Sequence, residues 1–170
     1  HRGRLLVGGD LTGEIGHVKV DGNEYACGCG MNGCLETLVS AGGIVRQAKE
    51  LMRRKPSVLG EWFPERPEAG QPERSMTAED VAKAADLGDA VAAQVFERTG
   101  RALGSALAAC VALLGTDLIV IGGGVSRAGE RLLSPVRRAL AERVHPLHAE
   151  RVKVTAARWT DEAGVIGSAL

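Results

Sequence analysis

Aromatic side chains are scarce in this chain: two tryptophans, two phenylalanines and one tyrosine in 170 residues. Stacking of single-stranded bases, or a sugar lying on an aromatic platform, therefore has little material to work with. Net charge is missing as well, because 21 Lys and Arg cancel 21 Asp and Glu. That balance speaks against a general nucleic-acid surface and leaves room only for a local basic face. Long apolar runs are also absent. The longest, "SALAACVALLG" at 105–115, is too short to span a bilayer and reads as a buried core helix of a cytoplasmic protein. No charged segment followed by an apolar one opens the chain as a secretory leader would. What is present is 45% hydrophobic and 25% charged residues, enough to bury a core and too apolar for disorder.

Hydrophobic periodicity organises the chain into alternating strands and helices, which predicts an α/β fold with a mostly parallel sheet. Strands are expected at Arg4 to Val7, at "HVKV" (17–20), at "TDLIVI" (116–121), buried, and at "VKVTAA" (152–157). A helical pattern from Leu35 carries Leu38, Ile44, Val45, Ala48 and Leu51 on its apolar side, with Gly42 and Gly43 expected to split it. Four of the six prolines fall within residues 55–76, which reads as a surface loop. Thr77 with Asp80 three residues later forms a capping pattern, and Gly88 is a natural stop. Further helices are expected at about 89–114, 129–143 and from Asp161. One domain covers residues 1–170.

The stretch "EIGHVKVDGNEYACGCGMNGCLE" (14–36) holds three of the four cysteines within eight residues. A disulfide between Cys27 and Cys29 would be strained, and three cysteines cannot pair among themselves. The fourth, Cys110, sits in an apolar helix and reads as core. Cys27, Cys29 and Cys34, on a glycine-rich loop, with His17 as a fourth donor, make the ligand set of a closed tetrahedral zinc site, structural rather than catalytic. A redox switch and incidental loop cysteines are the other readings. Glu14 and Glu36 bracket the loop. They read either as acceptors for paired hydroxyls beside a metal-fixed imidazole, or as a solvated turn residue and a helix cap.

"GEIGHVKV" followed by "CGCGMNGCLE" resembles the signature of the ROK family (repressors, open reading frames and sugar kinases), which includes bacterial glucokinases. Glu14, Gly16, His17, Cys27, Cys29, Gly30, Gly33, Cys34 and Glu36 match its pattern. The likeness continues through "TAEDVAKAADLGD", "IVIGGGV" and "DEAGVIGSAL". The resemblance implies an actin-like, ribonuclease-H-like ATPase fold, of which this chain is the C-terminal domain with its zinc loop. It implies zinc on His17, Cys27, Cys29 and Cys34, and hexose hydroxyls on Glu14, His17 and Glu36. It also implies a cytoplasmic protein that forms homodimers and needs ATP and magnesium. The family's phosphate loop and catalytic aspartate have no counterpart here: "GGDLTG" (8–13) has its glycines on the wrong side of Asp10. No catalytic residue is assigned, and the expectation is a C-terminal half that is inactive alone.

"DLIVIGGGVSRAGE" (117–130) is an apolar strand, a glycine turn and a helix, suited to close approach by a nucleotide. It is neither a dinucleotide fingerprint, since Arg127 stands at the third glycine, nor a P-loop, since Glu130 stands at the lysine. Taken by itself it reads first as a tight turn without ligand. The resemblance assigns Gly122, Gly123, Gly124 and Val125 to ATP. Three functions follow: the C-terminal part of an ATP-dependent hexose kinase acting at C6, the effector domain of a sugar-responsive repressor binding DNA through an upstream helix-turn-helix, or a zinc-stabilised interaction module. The sequence leaves the first two, and the hexose, undecided.

Overall fold

The computed structural model describes residues 8–9, 12–64 and 74–159. The expected strand at 4–7, the "GGDLTG" aspartate Asp10 and the expected helix from Asp161 lie outside these residues. The fold is α/β. Its elements are α1 (Glu36–Val39), α2 (Ala41–Met52), α3 (Val58–Trp62), α4 (Ala78–Asp86), α5 (Ala90–Leu114), β1 (Leu118–Ile121), α6 (Glu130–Ala141), α7 (Pro146–Ala149) and β2 (Lys153–Ala156), with 3-10 turns at Ile15–His17 and Gly124–Ala128.

Helix α5 is the axis of the molecule. Asp89 caps it through the Ala92 N–H, and Gly115, in the left-handed region at φ 64°, ends it. Its apolar residues Ala92, Val95, Phe96 and Val111 are buried against Ile44 and Ala48 of α2, Val81 and Ala84 of α4, and Leu132 and Val136 of α6. Approach to α6 is close because Gly100 and Gly104 present no side chain. A Cβ on Gly100 would run into Pro135, and one on Gly104 into the backbone of Val136. Helix α4 begins with the expected capping box: Thr77 Oγ1 accepts from the Asp80 N–H at 3.2 Å, and Asp80 Oδ2 accepts from the Thr77 N–H at 3.0 Å. It ends before Gly88, whose φ is 80°.

Strands β1 and β2 pair in parallel with Leu118 opposite Lys153 and Ile121 opposite Ala156. Arg137 of α6 donates from Nε and Nη2 to the Val154 carbonyl, tying the helix to the strand pair.

Several expectations need correction. Residues 17–20 do not form a strand: His17 closes a 3-10 turn, and only Lys19 bridges, antiparallel, to Cys34. The helix after Cys34 breaks at Ser40, whose extended backbone and side chain cap Gly43 N–H, rather than at the glycines. Gly43 lies inside α2, at a place where a Cβ would collide with the Thr37 carbonyl. The run 105–115 is buried only on one side, with Leu113 and Leu114 exposed, and Cys110 is half-buried. Strand β1 is not buried either, since Leu118 and Val120 face outward. Residues 55–76 contain α3, whose Leu59 is fully buried. Among the described residues, no helix is long and apolar enough to cross a membrane.

Candidate metal centre and flanking carboxylates

The loop that carries the cysteines is folded by its own backbone. The Cys27 N–H donates to the Met31 carbonyl at 2.7 Å, and the Gly30 N–H returns to the Cys27 carbonyl at 3.0 Å. Gly30 and Gly33 take φ of 87° and 81°, which L side chains adopt rarely, so these two glycines are required by the turn. Gly28 is not at positive φ and makes no such demand. Gly33 is also required sterically: a Cβ would collide with the Asn23 carbonyl. The segment 18–20 runs antiparallel to 33–35 through Val20 N–H to Gly33 O and Leu35 N–H to Val18 O. This brings His17 over the cysteines.

His17, Cys27, Cys29 and Cys34 then offer four ligand atoms within 4.8 Å of one another. Cys29 Sγ is 3.6 Å from Cys34 Sγ, and Cys27 Sγ is 3.7 Å from His17 Nδ1. Zinc bonded tetrahedrally to sulfur and imidazole nitrogen needs neighbouring ligand atoms about 3.5–3.8 Å apart. The donor set and the spacing fit that ion. Two of the thiols are perturbed by their surroundings. Burial, and then hydrogen bonds with Cys29 and Cys27, push the Cys34 thiol up to about 11. A hydrogen bond from the Met31 backbone, then one from Cys27, draws the exposed Cys29 below the ordinary thiol range. A dication is the charge that lets such a group of thiolates coexist.

Both carboxylates converge on His17. Glu14 Oε2 stands 3.8 Å from Nε2, and Glu36 Oε2 stands 3.8 Å from Nδ1. Glu36 does not cap α1, whose first residue it is; its oxygen also approaches Cys27 Sγ at 3.7 Å. The Glu14 and Glu36 side chains are about half exposed, at 56% and 55%, so a ligand arriving from solvent meets their free oxygens. The arrangement is an imidazole held between sulfur and carboxylate, with acceptors spread on either side.

Sequence reasoning missed the residues that brace this loop. Buried Asn23 donates from Nδ2 to Thr37 Oγ1 at 2.9 Å and to the Cys34 carbonyl at 3.0 Å, and accepts the Tyr25 N–H. Tyr25 reaches Glu50 of α2 with its hydroxyl, and the Arg46 guanidinium lies 4.0 Å over its ring. The "DGN" turn was the only signal of the first, and an aromatic in a polar loop the only signal of the second.

The glycine turn is a separate place. Gly124 and Val125 line a cavity of about 80 Å³ with Ile44, Ala78, Glu79 and Phe96, and no residue of 14–36 lines it. Gly123, at φ 81°, gives its carbonyl to Ser126. Gly122 lies near Ala157 and does not line the cavity.

A family model described as "ROK family" matches residues 2–170, and the chain belongs to that family. It is 36% identical over 168 residues to a glucokinase of Thermotoga maritima, covering 98% of this chain and 51% of that protein. It is 28% identical over 169 residues to the DNA-binding transcriptional repressor Mlc of Escherichia coli, covering 99% of this chain and 39% of the repressor. Among solved structures, it resembles a ROK family glucokinase from Streptomyces griseus in complex with glucose and AMPPNP. There the TM-score is 0.71 at 31% identity, over 92% of this chain and 49% of that one. The chain thus spans about half the length of the glucokinases it matches.

Proposed function

We propose that this ROK-family chain supplies the hexose-holding and metal-holding half of an ATP-dependent sugar kinase of the glucokinase kind. The observation that carries this reading is the approach of Glu14 and Glu36 to the two ring nitrogens of His17. A hexose presents neighbouring hydroxyls as donors, and two half-exposed carboxylates flanking a fixed imidazole are acceptors at matching places. The glucokinases among its relatives support the same reading.

In this proposal His17, Cys27, Cys29 and Cys34 hold zinc. The ion supplies a closed structural anchor and fixes the imidazole's orientation and tautomer. Glu14 and Glu36 orient the sugar by accepting from adjacent hydroxyls, and His17 presents its remaining nitrogen to the same face. Gly122, Gly123, Gly124 and Val125 form the wall for ATP, which acts with magnesium. The architecture is the C-terminal domain of an actin-like ATPase fold, within a homodimer. The phosphate loop and the base that takes the proton of the sugar's C6 hydroxyl are assigned to the portion of the relatives that this chain does not span.

The likeness to Mlc supports a second reading, a sugar-responsive repressor that uses the same carboxylates to sense its effector. A coupled assay with ATP, magnesium and a panel of hexoses, run on the polypeptide that contains this chain, separates the two. Turnover of a hexose supports the kinase. Hexose binding without turnover, together with sugar-dependent release from a DNA operator, supports the repressor. Residues 1–170 alone are expected to give no turnover, since phosphoryl transfer needs nucleophile, base, metal and phosphate in one cleft.

A further inference from the structure

We propose that the cleft between the C-terminal end of α2, α3 and residues 74–76 is a second ligand site, for an organic phosphate monoester. The cleft encloses about 920 Å³, within the usual range of small-molecule sites of roughly 300–1,000 Å³. None of residues 14–36 and none of the glycine turn lines it, so the site is independent of the kinase reading.

Its lining joins two kinds of side chain. Lys49, in the last turn of α2, and Arg53, its C-cap, stand four residues apart, both exposed and both lining the cleft. Among the described residues, neither meets a carboxylate. Lys55 adds a third cation, whose ammonium donates to the neutral Gln94 Oε1 at 2.7 Å and not to a carboxylate. Arg74 enters from the opposite side, paired with Asp80 at 2.6 Å. The lining carboxylates are Glu61 and Asp89, and the oxygens of Asp89 are committed to the N–H groups of Val58 and Ala92. A phosphate entering the cleft therefore meets more uncancelled positive than negative charge.

The second kind is aromatic. Trp62 and Phe63, two of only five aromatics in the chain, both line the cleft. Trp62 keeps 39% of its surface exposed, and the Phe63 ring carries the Arg74 guanidinium at 5.4 Å. Cations beside exposed aromatic surface suit a phosphate attached to a ring, which a sugar phosphate and a nucleoside monophosphate share.

The test uses the intact protein in a Trp159→Phe background, where Trp62 is the remaining tryptophan of the chain, and follows its fluorescence together with calorimetry. The titrants are glucose 6-phosphate, AMP, inorganic phosphate, glucose and adenosine. At least one ester should bind saturably, with inorganic phosphate and the uncharged bodies about tenfold weaker or more, and the tighter ester identifies the source. Lys49→Gln combined with Arg53→Gln should weaken that ester by about tenfold or more, the loss of one charge-assisted contact. Metal content and melting temperature should not change. Glu14→Gln should leave the ester's affinity untouched, which separates this cleft from the proposed hexose site. The proposal is overturned by millimolar titrations with neither heat nor fluorescence change, by inorganic phosphate binding as tightly as the esters, or by an affinity that survives the double substitution.

Discussion

Asn23 Nδ2 donates to the Cys34 carbonyl at 3.0 Å, and both residues are buried. This contact fixes the last cysteine of the loop against the turn that precedes the first. Replacing Asn23 with Ala removes its bonds to the Cys34 carbonyl, to Thr37 Oγ1 and from the Tyr25 N–H, and leaves Thr37 as the carbonyl's donor, at a cost of about 1–3 kcal/mol. The melting temperature should fall by roughly 2–4 °C per kcal/mol. A thermal scan that leaves Asn23→Ala level with the parent would remove the brace from consideration.

The metal prediction rests on the four donors. Structural zinc contributes roughly 10–16 kcal/mol of apparent binding energy in small peptides, comparable with the net stability of a whole domain, about 5–15 kcal/mol. Cys29→Ser should therefore abolish stoichiometric zinc and loosen residues 23–36. Cys110→Ser, far from the loop in α5, should retain the metal. Elemental analysis after purification without chelator decides the matter; no zinc in the parent protein would refute the assignment.

For the sugar reading, Glu14→Gln keeps the shape and removes the charge. A charge-assisted hydrogen bond becomes a neutral one, and hexose affinity should drop by about 1–2 kcal/mol, roughly five- to thirtyfold. Zinc content should stay constant. Calorimetry giving parental hexose affinity in this variant would return Glu14 to the role of a solvated turn residue.

Close packing of α5 on α6 makes Gly104 intolerant. A Cβ there would fall inside contact distance of the Val136 carbonyl and 2.9 Å from the Ala139 Cβ, and backbone cannot step aside as a flexible side chain can. Gly104→Ala should cost about 1–3 kcal/mol of overpacking, outweighing the gain in helix propensity of about 1 kcal/mol. Gly42→Ala, with open space around it, should be neutral or stabilising. A denaturant midpoint for Gly104→Ala at or above that of Gly42→Ala would contradict the packing account.

Asp80 sets an acid limit. Burial raises its carboxyl, but hydrogen bonds from Thr77 and the charges of Arg74 and Lys83 outweigh that and hold it below the ordinary value. A depressed carboxyl contributes stability that is fully present above its unfolded value of about 3.9, and that is lost as pH falls through the folded value. Asp80→Asn should thus be less stable than the parent at neutral pH, by about 1 kcal/mol for the capping box alone. The gap should narrow as pH falls below about 4. A gap constant from pH 7 down to 3 would show that the carboxylate's charge is not what stabilises the helix start.

Local chemistry was legible directly. Thr77 and Asp80 announced their capping box, Gly88 ended a helix as an αL-tolerant residue does, and the cysteine spacing pointed to the cluster of candidate metal donors. These features depend on neighbours a few residues away, so the linear order contains them. Other features depend on atoms distant in sequence. The chain breaks at Ser40 in place of Gly42–Gly43, and Gly43 sits inside α2 where a Cβ would meet the Thr37 carbonyl. The outward faces of Leu118, Leu113 and Val120 follow from where α6 and β2 lie, and apolar character alone does not say which side is covered. By itself the sequence determined most of the longer helices, the capping pair Thr77 and Asp80, and the donor types gathered in residues 14–36. Tertiary structure alone decided that Glu36 turns toward His17, because that meeting requires the antiparallel pairing of 18–20 with 33–35, whereas Glu14 reaches His17 across a single 3-10 turn. Only the folded chain closes that contact.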